Sequence, residues 1–278
     1  MTPSGKSSSA ARRGATTMLE EQIRRRLRHK PILVMAHIVL GYPSFRESWA
    51  LARSMVEAGV DLMELQIPFS EPMADGPVIL AANQKALEAG ASVGKCFEFA
   101  RELAGQVPIP LLFMSYYNIP FTYGLARFAA DSKAAGMVGA IVPDLPPEEA
   151  PEYLQAMRAQ ALDPIGLFSP NTPDERMKTI AAQGSGLIYC VARKGVTGAK
   201  TEFSGDIAGY LERARRATSL PLAVGFGVKN RADVEFVQGK ADIAVVGSES
   251  LRVLNESGLR ATADFIRTLT GAAPASGH

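Results

Sequence analysis

The chain has 278 residues, a hydrophobic fraction of 47% and a formal net charge of +2. That length supports one large core in a single domain, and so small a net charge gives bulk electrostatics no case for nucleic-acid binding. No apolar run reaches the roughly 18 residues a membrane span needs, Cys96 and Cys190 read as buried thiols rather than a disulfide framework, and His29, His37 and His278 match no metal-ligand spacing.

Residues 1–17 are Ser-rich and carry Arg without acids. They read as a disordered tail, with a short organelle transit segment as the alternative. A helical pattern begins at Met18. In "MLEEQIRRRLRHK" the apolar residues Leu19, Ile23 and Leu27 recur every four, with acids first and bases last, as the helix dipole favours. A long apolar run, "PILVMAHIVLGYP", follows and reads as a strand bounded by Pro and Gly. Seven more short apolar runs come after it, at 62–68, 109–117, 139–146, 164–170, 186–193, 221–227 and 242–248. Amphipathic stretches such as "SWALARSMVEAGV" and "TPDERMKTIAAQG" separate them. The chain ends in "GAAPASGH", a second loose tail over 271–278.

Near-continuous apolar strands imply a parallel sheet buried on both faces. Eight strand–helix units predict a single (β/α)8 TIM barrel over 18–270 with an extra N-terminal helix. An open doubly wound sheet is the alternative, although its usual G-x-G-x-x-G after the first strand is missing. A barrel places its chemistry at the C-terminal ends of the strands, so functional groups are expected there.

Glu64 lies near the end of the second strand. Alternation puts it on one face with Leu62 and Gln66, opposite Met63, Leu65 and Ile67. Facing inward, it would stand in the barrel mouth, where partial desolvation suits a carboxyl that gives and takes protons; a structural Glu paired with an Arg is the equal competitor. Asp75 follows in a loop stiffened by Pro68, Pro72 and Pro77, either held over the mouth or serving as an ordinary turn residue. "GVTG" (195–198), "GFG" (225–227) and "GS" (247–248) close three successive strands. Glycines admit backbone N–H groups to a ligand, and Ser248 is placed to cap the helix after it, so this end reads as a phosphate site. Tyr116, Tyr117, Tyr189 and Phe226 fall near the same ends, as walls for a flat apolar ligand or as core. No cofactor motif occurs.

These segments also resemble a known family. "ELQIPFSEPMADGP" is similar to the tryptophan synthase alpha chain signature, usually E-L-G-x-P-F-S-D-P-x-A-D-G-P, and "YYNIPFTYG", "VPDLPPEE", "SPNTPDERMKTIA", "RKGVTGAK", "VGFGV" and "VVGS" follow in that family's order. The resemblance spans roughly residues 19 to 268. It implies a cytoplasmic (β/α)8 barrel that cleaves indole-3-glycerol phosphate to indole and glyceraldehyde 3-phosphate in tryptophan biosynthesis, with no metal or organic cofactor for that step. By match to the motifs, Glu64 falls on the acid/base at the indole ring and side-chain hydroxyl, and Asp75 on the acid at the indole N–H. Thr197 falls on a lid residue that orients that Asp, with residues 193–202 as the lid. Gly198, Gly227, Gly247 and Ser248 fall on the phosphate site. Tyr189 and Phe226 fall on the indole pocket, which Tyr116 joins. The family partner is a beta chain in an alpha2beta2 complex. A stand-alone lyase and a non-catalytic allosteric partner of a beta chain are the alternatives.

The sequence departs from the family pattern at Gln66 (usually Gly), Glu71 (usually Asp), His37 (usually aromatic or apolar) and Leu80 (commonly Gln). Gln66 and Glu71 are expected in the loop segment that docks the beta chain, near Asn118. His37 is expected to be a core or pocket-wall residue.

Overall fold

The computed structural model describes residues 16–192 and 207–273. Its first elements are α1 (Met18–Leu27), β1 (Leu33–Val39), α2 (Phe45–Glu57), β2 (Leu62–Gln66), α3 (Pro77–Glu88), α4 (Val93–Ala104) and β3 (Leu111–Met114). There follow α5 (Asn118–Tyr123), α6 (Leu125–Ala134), β4 (Gly139–Ile141), α7 (Pro151–Ala159), β5 (Asp163–Phe168) and α8 (Asp174–Gln183). The last are β6 (Ile188–Val191), α9 (Ile207–Ala217), β7 (Leu222–Gly225), α10 (Arg231–Val237), β8 (Ile243–Val246) and α11 (Ser248–Thr270).

The eight strands pair in parallel and in sequence order, and β8 returns to β1, so the sheet is a closed barrel. Alternation along each strand divides its side chains between two cores. Leu33, Met35, Leu62, Leu112, Met114, Ile165, Ala223, Ile243 and Val245 fill the barrel interior. Val34, Ala36, Ile38, Met63, Leu65, Phe113, Val224 and Val246 face the helices. This explains the unbroken apolar runs: both faces of every strand are covered.

The N-terminal helix closes the bottom of the barrel. Thr17 caps α1, its hydroxyl accepting from Glu20 N and donating to Asp163 Oδ2 at 2.8 Å. The four-residue apolar repeat puts Leu19 and Ile23 on one stripe, and both are fully buried within the interior core. The basic residues in the last turn of α1 have a structural use here. Arg24 donates to the Ser219 carbonyl at 2.7 Å and Arg26 to that of Pro108 at 2.9 Å, tying the helix to the segments before β7 and β3. The opposite end of the barrel is left to the site. Cys96 and Cys190 are buried free thiols, each pushed up to about 12 by burial.

Candidate active site

Glu64 is near the C-terminal end of β2 and opposite His37 of β1 in the strand register. Its inward parity, shared with Leu62, carries the carboxylate into the barrel, where the residue is 3% exposed. Oε1 lies 2.9 Å from His37 Nδ1 and accepts from the Tyr189 hydroxyl at 3.4 Å. Among the described residues Oε2 has no hydrogen-bond partner. Burial by itself would lower the His37 pKa, but the hydrogen bond and charge of Glu64, with help from Asp75 and Gln66, outweigh it and raise the imidazole above its ordinary value.

Asp75 sits where the loop after β2 meets α3. Its backbone N–H donates to the Pro72 carbonyl at 3.0 Å, Gly76 is the N-cap of α3 and Pro77 opens the helix. The residue is buried, and its Oδ2 accepts from Gln66 Nε2 at 2.7 Å. Burial raises the Asp75 pKa. The charge of His37 and hydrogen bonds from Gln66 and Tyr116 offset part of that rise, and the charge of Glu64 adds to it. The loop has a second anchor: the Ala74 N–H donates to the Tyr116 hydroxyl at 3.0 Å, while the Tyr116 ring stacks on Phe69 at 5.4 Å.

Both carboxylates face a cavity of about 160 Å³ at the C-terminal mouth. Met114, Ile141, Leu167, Tyr189 and Val245 form apolar walls, and Gly225, Gly227, Gly247 and Ser248 line the far side. Gly225 leaves room for Tyr189, whose hydroxyl would lie 2.9 Å from a Cβ there. Gly227 has φ +84°, in the left-handed region that favours glycine. The first intrahelical bond of α11 runs from Leu251 N to Gly247 O, so the amides of Ser248, Glu249 and Ser250 precede it. Glu249, in that first turn, is paired with Arg252 at 2.5 Å. Burial and the charges of Glu64 and Asp75 push the Tyr189 phenol well above its ordinary pKa, so it is a neutral donor. A larger cleft of about 570 Å³ opens between β4, β5 and helices α7 and α8, but neither Glu64 nor Asp75 lines it.

The structure thus brings Glu64, Asp75, Tyr189, Gly227, Gly247 and Ser248 to one cavity. Thr197, Gly198 and the lid segment 193–202 lie outside the described residues. Two expectations need correction, those on the Ser248 cap and on Gln66. Ser248 does not cap α11: it is the first helical residue, and Gly247 is the N-cap without a side-chain bond. Phe226, assigned to the indole pocket by motif, adjoins the cavity glycines Gly225 and Gly227 in sequence. It continues the outward parity of Leu222 and Val224 and is buried in the barrel–helix core. Tyr116 belongs to the interior core beside the cavity and holds the Asp75 loop from behind. Gln66 is not in a docking loop: it is the last residue of β2, fully buried, with its amide on Asp75. His37 is buried in the cavity wall, as expected; its tie to Glu64 and that of Gln66 to Asp75 go beyond the reading of the sequence, although a signal for them exists. Each is a polar residue in an apolar strand, and Gln66 shares the inward parity of Glu64.

The fold and site together define a (β/α)8 barrel with two buried carboxylates converging on one pocket at its C-terminal mouth, and a glycine-lined helix start across from them. Among the described residues no cluster of metal-ligating side chains occurs, and no helix is long and apolar enough to cross a membrane. The family model for the tryptophan synthase alpha chain matches residues 24–272. The tryptophan synthase alpha chain of Desulforapulum autotrophicum is 61% identical over 252 residues, covering 91% of this chain and 100% of that one. That of Syntrophotalea carbinolica is 60% identical over 252 residues, with the same coverage. A solved Mycobacterium tuberculosis tryptophan synthase superposes with a TM-score of 0.84 at 30% identity, covering 92% of this chain and 98% of that one. A chain of the tryptophan synthase a2b2 complex from Pyrococcus furiosus gives a TM-score of 0.80 at 32% identity, covering 86% and 98%. This chain belongs to the tryptophan synthase alpha chain family.

Proposed function

We propose that this chain is the lyase that cleaves indole-3-glycerol phosphate to indole and glyceraldehyde 3-phosphate in tryptophan biosynthesis, in the cytoplasm and in partnership with a beta chain. The observation that carries the reading is the pairing of two buried carboxylates, Glu64 and Asp75, on one cavity. Family membership supports the reaction.

The chemistry needs two such groups at separate positions. Breaking the bond from indole C3 to the side chain requires C3 to become tetrahedral by gaining a proton. The ring nitrogen then carries the positive charge, and a base near its N–H stabilises it. A base must next remove the proton of the side-chain hydroxyl. The carbon–carbon bond breaks, its electrons restore the indole ring, and the former carbinol carbon leaves as the aldehyde. No net proton is gained or lost. Glu64, on a rigid strand with Oε2 free of partners among the described residues, gives the proton to C3 and takes that of the hydroxyl. Asp75, whose raised pKa makes it a stronger base than an ordinary carboxylate, takes the N–H proton and returns it. Gly227, Gly247 and Ser248, with the first amides of α11, receive the phosphate. Gly198 and the lid residue Thr197 are assigned to the same site by motif. Tyr189 and the apolar walls hold the indole.

Glu64→Gln and Asp75→Asn test the assignment. Each keeps the shape of the side chain and removes its proton chemistry, so each should lower kcat by at least about 10²-fold with substrate binding retained. Turnover within about tenfold of wild type in either variant would remove that residue from the mechanism.

A further inference from the structure

His37 and Gln66, two departures from the family pattern, are also the side chains that hold the two carboxylates. His37 Nδ1 is 2.9 Å from Glu64 Oε1, and Gln66 Nε2 donates to Asp75 Oδ2 at 2.7 Å. All four side chains are buried. His37 is the register partner of Glu64, and Gln66 follows Glu64 by two residues on the same inward face of β2. One polar atom of each tether is left over. His37 Nε2 and Gln66 Oε1 are both buried, and neither has a partner at hydrogen-bond geometry among the described residues. They are complementary: a protonated imidazole nitrogen donates, and a carboxamide oxygen accepts. Buried polar atoms are costly to leave unpaired, and Gln66 is close enough to favour the protonated imidazole.

We propose that Glu64, His37, Gln66 and Asp75 form one hydrogen-bonded chain, closed between His37 Nε2 and Gln66 Oε1, in which His37 and Gln66 are positioning residues that couple the two carboxylates. This rests on the reading of Glu64 and Asp75 as the proton-transfer pair. The direction of donation follows from the groups. His37 Nδ1–H donates to Glu64, Nε2–H to the Gln66 oxygen, and the Gln66 amide to Asp75. No proton travels along the chain, because a carboxamide does not relay one. An imidazolium between the carboxylates fixes their separation, so a change of charge at one is felt at the other. Among the described residues the titratable groups around His37 are Glu64 on β2, Asp75 in the following loop and, in the same cavity, Tyr189 on β6. Glu249 at the start of α11 lines the same cavity, and Gly247 packs against the His37 side chain from the end of β8.

The test follows the imidazole directly. The chain has three histidines, so His37→Phe identifies the His37 signals in spectra of the full chain labelled with 15N-histidine. In wild type, His37 is expected to titrate above the ordinary histidine range. The midpoint should fall in Glu64→Gln, which removes a charge, and also in Gln66→Leu, which removes the middle acceptor together with the amide on Asp75. Kinetically, His37→Phe and Gln66→Leu should each lower kcat about tenfold with KM changed by less than about twofold, and the double variant should be no worse than the worse single one. His37→Asn keeps a donor toward Glu64 without a titrating ring. It should recover part of the lost kcat and lack the His37-dependent limb of the pH profile. A His37 midpoint indifferent to Gln66→Leu, or losses that multiply fully in the double variant, would overturn the chain. Turnover retained by Glu64→Gln overturns the reaction reading and the inference with it. An inactive Glu64→Gln, combined with a His37 midpoint blind to Gln66, overturns the inference alone.

Discussion

Two carboxylates of the same chemistry are given different tasks by what surrounds them. Glu64 is fixed by strand geometry, with one oxygen committed to His37 and Tyr189. Asp75 is held by a loop, and burial raises its pKa against the opposing effects of His37, Gln66 and Tyr116. As a base it must be ionised, so kcat/KM should decline on the acid side at a pH above the usual carboxylate range. Gln66→Leu removes a hydrogen bond that lowers this pKa, so the acid limb should move to higher pH; a limb that stays or moves down would contradict the assignment. The same shift has a stability sign. A carboxyl raised in the folded state binds more protons folded than unfolded between its two pKa values. Its contribution is therefore full below the unfolded value and is lost as pH rises through the folded one. Asp75→Asn escapes that loss. The inactive variant should melt at or above the wild-type temperature at about pH 8, with the advantage shrinking toward about pH 4. Thermal unfolding across that range checks it, and a variant less stable at the higher pH would refute it.

Elements were the most legible level of this sequence. Eight apolar runs, each followed by an amphipathic stretch, predict the closed parallel barrel, and the four-residue repeat of Leu19 and Ile23 predicts the helix that plugs its base. Parity grouped Glu64 with Leu62 and Gln66, and the closed barrel turns that face inward. Applied to β7, the same parity sends Phe226 outward with Leu222 and Val224. The cap at α11 was misplaced because Gly247 and Ser248 differ by one position, a distinction that propensity does not resolve. The ties between His37 and Glu64 and between Gln66 and Asp75 depend on neighbouring strands and a loop arriving together, which local pattern does not encode. Two predictions belong here. Leu19→Ala should cost about 2–5 kcal/mol in denaturant unfolding, because the plug is fully buried. Activity per folded molecule should be kept, since the cavity is at the other end. Gly227→Val introduces a β-branched side chain at φ +84° beside the cavity. It should raise KM for the phosphorylated substrate by about tenfold or more, and abolish competition by inorganic phosphate. An unchanged KM would displace the phosphate from this glycine.

At the scale of the whole molecule, the mouth carries a surface suited to a partner. Met73 and Phe121 are 70% and 63% exposed, in the segments that follow β2 and β3, and Glu71 and Asn118 are exposed beside them in sequence. Large apolar side chains at the rim of a site are a common mark of docking. Met73 lies two residues from Asp75, so a beta chain seated there would favour the conformation in which the loop holds its acid in place. Phe121→Asp should weaken association with a beta chain more than it changes the turnover of the free chain, as titration calorimetry and kinetics would report. On this reading the barrel cleaves indole-3-glycerol phosphate through Glu64 and Asp75. The most direct measurement is the release of indole and glyceraldehyde 3-phosphate from that substrate by the purified chain, by Glu64→Gln, and by each with a stoichiometric beta chain. Equimolar products are expected, slow from the wild-type chain alone, markedly faster with the partner, and lost in Glu64→Gln in both states. Fast turnover indifferent to the partner would make the chain a stand-alone lyase, and no wild-type cleavage in either state, or cleavage retained by Glu64→Gln, would contradict the reading itself.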